Sequence, residues 1–497
     1  MKFKVKDMDI TTGSTLVAIL NSKDAAKFDL NVLDRIKIRK NRKSIDAVLD
    51  IGKSLKAVPT GSIGLFEETL EALNAKQGDI IDICLAKKPL SLQYIRKKLD
   101  GGTLSKKEIE EIINDIVNNR LSSIELTYFV SACYTHALNI KETIILIKAM
   151  VNCGSILKLN KYPIIDKHCI GGVPGNRTTM IIVPIIAAAG LTIPKTSSRS
   201  ITSPSGTADT MEVLTNVCLN LSQMKKVINK TTGCIIWGGS LNLAPADDRL
   251  IKIERPLEIN AESQFLASIM AKKMSVSSTH ILIDIPVGKS AKLEGMKLAK
   301  NLKKDFIRLA KKLKRKIKVM ITDGSQPIGN GIGPALEARD VLYVLQGDYR
   351  QPNDLRKKSI EMAGKILEMG KKAKPGQGKK KALEILESGQ AYKKMKEIIK
   401  AQGGGITDPE DIKLGKYAYD VTSKKSGRIK YIDNKIITRI ARVAGAPKDK
   451  KAGIYLYNHV GDKVRKGDKL FTVYSDGKEQ LKFAKEVVKE SKGIVIK

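Results

Sequence analysis

The sequence predicts an α/β protein: a helical domain and a mostly parallel α/β domain, flanked by small β-rich N-terminal and C-terminal domains. Three observations carry that prediction. Residues 1–86, and again those from 412 onward, alternate apolar and polar side chains over short runs broken by turn residues. Residues 89–150 space their apolar positions at a helical period instead. Between 155 and 345 an apolar run, a loop and a helix-like stretch recur in turn, as in parallel strands joined by crossover helices.

In chain order, Arg35-Ile36-Lys37-Ile38 and Asp79-Ile80-Ile81-Asp82-Ile83 read as strands of a first domain, residues 1–86. The runs Lys106–Asn118 and Ser122–Ala137 read as amphipathic helices of a helical domain, 87–154, with a later contribution from about 247–277. The α/β domain, 155–411, takes its strands from Tyr162–Asp166, Leu191–Thr196, Cys234–Trp237, His280–Pro286 and Ile317–Thr322, with a helix at Thr178–Ala189. Lys371–Lys381, charged and rich in breakers, reads as a solvated loop. Ile454–Tyr457 and Lys469–Tyr474, with Gly461-Asp462 and Gly467-Asp468 as turns, define a β-rich domain over 412–497.

Composition narrows the function. At 497 residues, 42% apolar and 28% charged, the chain is long enough for several cores. Its 89 Lys+Arg against 52 Asp+Glu leave a formal +37, a surface that attracts anions. The lysines run along the whole chain and only 4% of residues are aromatic, so no base-stacking platform is visible and no specific nucleic-acid partner is expected. A non-catalytic basic nucleic-acid binder remains the alternative from another class. Six cysteines without a CxxC pair, and four histidines, give no zinc spacing, so no metal is expected. The N-terminus lacks an apolar leader and no stretch reaches membrane-spanning length, so the expected setting is cytoplasmic.

Three loops after strands suit oxyanions. The first runs from Asp166 to Asn176 and carries Lys167, His168, Gly171, Gly172 and Gly175 before a helix. Its glycines let the backbone approach a ligand, Lys167 adds charge, and His168 could move a proton near neutral pH. The second, Thr196–Thr207, holds seven hydroxyls besides that of Thr196, together with Arg199. An arginine fork among hydroxyl donors suits a phosphate monoester, and Thr207 suits the cap of the next helix. The third, Glu254–Glu262, leads into a helix over Ser263–Lys273, with Asn260 as a cap. Ser268 and Lys272, four apart, project from one face of that helix, although a lysine pair at a helix end is also what solvation and the dipole favour.

Taken in order, Lys167-His168-x-x-Gly171-Gly172-Val173, Ser198-Arg199 followed by Gly206-Thr207-x-Asp209-x-x-Glu212, Ala267-Ser268-Ile269-Met270-Ala271-Lys272-Lys273, Asp284-Ile285-Pro286-Val287-Gly288, and Gln326-Pro327-Ile328-Gly329 followed by Gly333 resemble the thymidine/pyrimidine-nucleoside phosphorylase family, in particular its archaeal AMP phosphorylase branch. The resemblance covers about residues 90 to 345 and implies a type II nucleoside phosphorylase fold. It implies phosphorolysis of nucleoside 5′-monophosphates, AMP first and CMP or UMP after it, to free base and ribose 1,5-bisphosphate in nucleotide salvage. The alternative is a thymidine or pyrimidine nucleoside phosphorylase.

By that resemblance Lys167, Thr179, Ser197 and Thr207 lie near the attacking phosphate. Gly172, Ser198, Arg199, Ser200, Ile201, Thr202, Ser203, Thr207, Ser268 and Lys292 match nucleotide-contacting positions, and His168, Arg255 and Lys272 match base-side residues. The partners implied are AMP and inorganic phosphate, in a homodimer or larger homo-oligomer, with no cofactor. Such chemistry needs a held nucleophile and a protonated leaving base, as in glycoside hydrolysis. The pyrimidine enzymes carry a glycine-rich Ser-Gly-Arg-Gly run and a histidine in the second loop; hydroxyls stand there in this chain, which favours a substrate with a 5′-phosphate.

Two positions depart from the pattern. Asn260 stands where the AMP branch has its acidic proton donor; an amide caps a helix but cannot act as an acid. Glu258, Glu262, a water or His168 could take that role, or turnover could be slow. Cys169 stands where the pyrimidine enzymes have a phosphate-contacting serine, and a thiol is the weaker donor.

Overall fold

The computed structural model describes the chain except residues 14–15, 201–202, 255 and 257–260. Two compact units form: Met1–Gly154 with Ala244–Ala271, and Ser155–Leu243 with Lys272–Lys497.

In the first unit, strands β1 (Lys2–Asp7), β2 (Val17–Asn21), β3 (Arg35–Lys40), β4 (Lys43–Gly52), β5 (Ser62–Leu65) and β6 (Ile80–Leu85) close into a barrel in the order β1-β5-β2-β4-β3-β6, with β1 pairing back onto β6. The two-residue alternation sends Phe3, Val5, Ile36, Ile38, Ile81 and Ile83 inward to one core. Short helices α1 (Ser22–Lys27) and α2 (Glu67–Leu73) lie between strands of the barrel. Four longer helices follow: α3 (Ser91–Leu99), α4 (Lys106–Val117), α5 (Ser123–Thr135) and α6 (Ile140–Asn152). Capping boxes set where three of them start: Ser105 with Glu108, Ser122 with Glu125, and Asn139 with Glu142. Helix Pro245–Glu254 joins this bundle, where Arg249 donates to the carbonyl of Ile116.

The second unit is built on a parallel layer. Strands β7 (Ile165–Cys169), β10 (His280–Val287) and β11 (Lys316–Asp323) run side by side in the order β11-β10-β7, and β8 (Ile193–Ser197) pairs with β9 (Gly233–Trp237). A parallel bridge between Ile164 and Thr192 joins the two groups, so all five carboxyl ends share one edge. Helix α7 (Thr178–Ala188) is buried from Thr178 through Ala187 and packs on helices Asn353–Met369 and Gln390–Ala401. A helix apolar on every side needs such cover. Lys371–Lys381 begins as a loop after Asn353–Met369 and ends in helix Gly378–Glu387.

The C-terminal region is a mixture of strands and helices. Strands Tyr417–Thr422, Gly453–Leu456 and Lys469–Ser475 pair antiparallel, and Gly331–Ile332 from the α/β region adds to them. Helices Asn434–Val443 and Lys478–Glu490 cover a core that includes Ile429, Ile437, Ile440, Phe471 and Val473. The amphipathic patterns of those two helices complete what the alternating strands begin. Among the described residues no helix is long and apolar enough to cross a membrane.

Candidate active site

Strand β7 carries four polar residues at its carboxyl end. Lys167 is fully buried, and its Nζ donates to Thr178 Oγ1 at 2.8 Å and Thr179 Oγ1 at 3.4 Å, the first two residues of α7. Burial lowers the Lys167 pKa. An anion beside it would offset that cost, because a buried cation gains most from an opposite charge. Thr178 Oγ1 donates to Asn176 Oδ1 (3.1 Å), and Asn176 Nδ2 donates to Cys169 Sγ (3.3 Å) and Asp284 Oδ2 (3.4 Å). Burial alone would raise Asp284, but Lys358 and Lys167 outweigh it and hold the carboxyl below its usual value. The Cys169 thiol is pushed up to about 11 by burial, so it is protonated and not a nucleophile.

Asp166, fully buried, lies between two lysines: Lys273 Nζ at 3.0 Å and Lys195 Nζ at 3.8 Å. Burial, with Lys273 nearby, pushes Lys195 down to about 7. His168 stands two residues along from Asp166 on the same strand and feels these cations. Burial first, then Lys273, Lys195, Lys167 and Lys272, hold its pKa well below the usual value. That direction favours a neutral imidazole at neutral pH, suited to hydrogen bonding more than to donating a proton as an acid. Lys273 is no solvated helix end; only 2% of it is exposed.

The second loop is held from within. Asp209 Oδ2 accepts from the backbone N–H of Ser200 (2.7 Å) and Gly206 (2.9 Å). Gly206, not Thr207, occupies the cap of helix Thr207–Met211. A Cβ on Gly206 would strike the backbone of Ser198 and Ser200, so only glycine fits there. Ser200 and Ser203 donate to the carbonyls of Ser203 and Ser205. Arg199 does not present an open fork. Both its terminal nitrogens donate to Glu212, and the guanidinium lies 4.9 Å over the Trp237 ring. Ser198 is exposed, while Ser197 is buried and its Oγ has no hydrogen-bond partner among the described residues.

Arg177, which the motif reading passed over, ties the first two loops together. It donates to Glu337, to Thr207 Oγ1 at 3.0 Å and to the Ser205 carbonyl at 2.8 Å. The third strand end joins through glycine. Gly172 has φ +88°, and a Cβ on it would collide with the backbone of Lys292. The structure thus gathers Lys167, Thr179, Thr207, Gly172 and Lys292 along one edge of the parallel layer, where ligands of such folds bind. Lys272 belongs to this unit, whereas Ser268, whose Oγ donates to Asp247 Oδ2 (2.8 Å), belongs to the other. Ile201, Thr202, Arg255 and Asn260 lie outside the described residues.

A parallel layer whose strand ends hold buried cations, threonine hydroxyls and a glycine-bound backbone suits an oxyanion-handling α/β enzyme. Comparison with known proteins makes that class specific. Residues 161–392 match the glycosyl transferase family a/b domain, 92–154 its helical bundle domain, and 428–495 the pyrimidine nucleoside phosphorylase C-terminal domain. A protein named AMP phosphorylase from Pyrococcus furiosus is 46% identical over 97% of this chain and 95% of its own length. One of the same name from Thermococcus kodakarensis is 45% identical over the same shares. A protein named "Putative thymidine phosphorylase" from Legionella pneumophila (strain Paris) is 44% identical over 94% of this chain and 89% of its own. The fold also matches the crystal structure of anthranilate phosphoribosyltransferase from Thermus thermophilus, at TM-score 0.52 and 16% identity over 62% of this chain and 98% of that one. The chain belongs to the glycosyl transferase family that includes the thymidine/pyrimidine-nucleoside and AMP phosphorylases, and is a pentosyltransferase.

Proposed function

We propose that this enzyme cleaves AMP with inorganic phosphate, giving adenine and ribose 1,5-bisphosphate, with CMP and UMP as further substrates. A phosphate oxygen bonds to C1′ as the C1′–N9 bond breaks, and the departing base takes up, through water, the proton that hydrogen phosphate gives up on becoming a monoester. The observation that carries this reading is the buried Lys167, clasped by Thr178 and Thr179 at the amino end of α7. The hydroxyl of buried Ser197, without a partner among the described residues, adds a donor one strand away. A bound phosphate would satisfy both, and its charge would steady the cationic sugar of the transition state. Thr207, oriented by Arg177, and Lys292, on the loop that Gly172 approaches, suit the nucleotide.

Neutral His168 suits a hydrogen bond to the base rather than its protonation. All six cysteines are free thiols, which fits a reducing cytoplasm. A homodimer or larger homo-oligomer completes the reading. Cleavage of unphosphorylated pyrimidine nucleosides is the second reading, supported by the name of the Legionella relative. Incubating the protein with phosphate and, in turn, AMP, CMP, UMP, uridine and thymidine separates the two. Release of adenine with a doubly phosphorylated ribose is the expected result. Release of base from the nucleosides alone would overturn it.

A further inference from the structure

We propose that Lys450, a side chain of the C-terminal domain, is a positioning residue for the nucleotide-binding loop that follows β8. The proposal rests on reading that loop as the holder of the nucleotide. Asp209 is the pin of the loop, since one of its oxygens accepts the amides of Ser200 and Gly206 and so closes the turn across its neck. Its other oxygen meets Lys450 Nζ at 3.1 Å and, more distantly, Arg199 at 3.5 Å. Lys450 Nζ also lies 2.8 Å from Glu212, the carboxylate that both terminal nitrogens of Arg199 engage. Two carboxylates thus share two cations, and one of the cations comes from a region 241 residues beyond Asp209 in the chain.

Lys450 is delivered by a turn whose backbone is itself fixed. Its carbonyl accepts from the Ala335 amide at 2.9 Å, the neighbouring Lys451 pairs with Asp476 at 2.8 Å, and Asp449 accepts the Lys451 amide at 3.0 Å. A lysine on a wandering surface segment would add little, because exposed pairs lose much of their attraction to solvent. Here the backbone attachment pre-orders the ammonium against Asp209, which is only 3% exposed. Without Lys450, Asp209 and Glu212 would face each other with one guanidinium between them. Two carboxylates around one cation repel each other, and Asp209 cannot move without releasing Ser200 and Gly206. The geometry of the nucleotide loop therefore depends on how the C-terminal domain is seated.

The test uses full-length Lys450→Met and Lys450→Arg beside the wild type. AMP is varied at saturating phosphate, then phosphate at saturating AMP, and amide hydrogen exchange is followed over residues 203–212. The methionine variant should raise KM for AMP about fivefold, leave kcat within about twofold and leave KM for phosphate unchanged. Exchange over 203–212 should quicken, and arginine should restore most of both. An unchanged KM for AMP, an equal rise in both KM values, or unaltered exchange would overturn the proposal. Failure of the wild type to cleave AMP would sink the functional reading instead, and exchange would still decide whether Lys450 holds the loop.

Discussion

His168 shares its side of β7 with Asp166, and the lysines gathered by that carboxylate reach the imidazole as well. A histidine whose folded pKa lies far below the unfolded value of about 6.5 disfavours the folded state once the unfolded chain takes up a proton. The His168 contribution should therefore be intact above that value and decline as the pH falls through it. Lys195, pushed down to about 7, titrates in the same range with the same sign, so the readout is a difference: between pH 7.5 and 5.5 the wild type should lose up to about 1.4 kcal/mol in urea unfolding relative to His168→Gln. An identical pH response in the two proteins would show that His168 is not the group responsible. The same setting explains why the residue's chemistry was only half legible in the sequence. Lys167-His168 before two glycines marks an anion loop, but Lys195 and Lys273 meet Asp166 only after the chain has folded. A signal for Lys195 does exist: it is a lone cation in the otherwise apolar start of Ile193-Pro194-Lys195. Arg199 shows the opposite error. Its fork and its hydroxyl neighbours are visible in sequence, while its pairing with Glu212, thirteen residues on, is decided by the loop's closure.

At the level of elements, apolar pattern found the parallel layer but misplaced the edge that matters. The run Tyr162–Asp166 marks β7, yet pairing with β10 spans Ile165 to Cys169. The residues that extend the strand are polar and lie at its carboxyl end, where hydrophobicity carries no signal. The helices read over Lys106–Asn118 and Ser122–Ala137 lie close to their observed bounds, and the boxes of Ser105 with Glu108 and Ser122 with Glu125 fix their starts locally; the helix that Asn139 caps is not in the sequence reading. Helix Pro334–Gln346 contributes through Glu337, 1% exposed, which accepts from Arg177, Thr210 and the Gly333 amide. Breaking a buried pair strands its partner's charge. Glu337→Gln should cost about 3 kcal/mol in chemical denaturation and weaken nucleotide binding through Thr207. Unchanged unfolding would mean that the pair contributes little.

For the molecule as a whole, the +37 charge is dispersed over the length of the chain rather than focused in one motif, as the sequence suggests. The surface of α5 departs from that pattern. Ile124 and Tyr128, one turn apart, are 59% and 55% exposed, and Tyr134 is 59% exposed near the helix end. Apolar surface of this kind suits a partner copy. Light scattering should report an oligomer for the wild type, and Tyr128→Glu should lower its mass; a monomeric wild type would contradict the proposed homo-oligomer. The barrel formed by β1 to β6 bears on the same question. A ring in which the first strand meets the last offers no row of idle amides and carbonyls for a stranger's chain to zip onto. Crowded preparations of this protein should accordingly resist fibre growth from the strands of that domain.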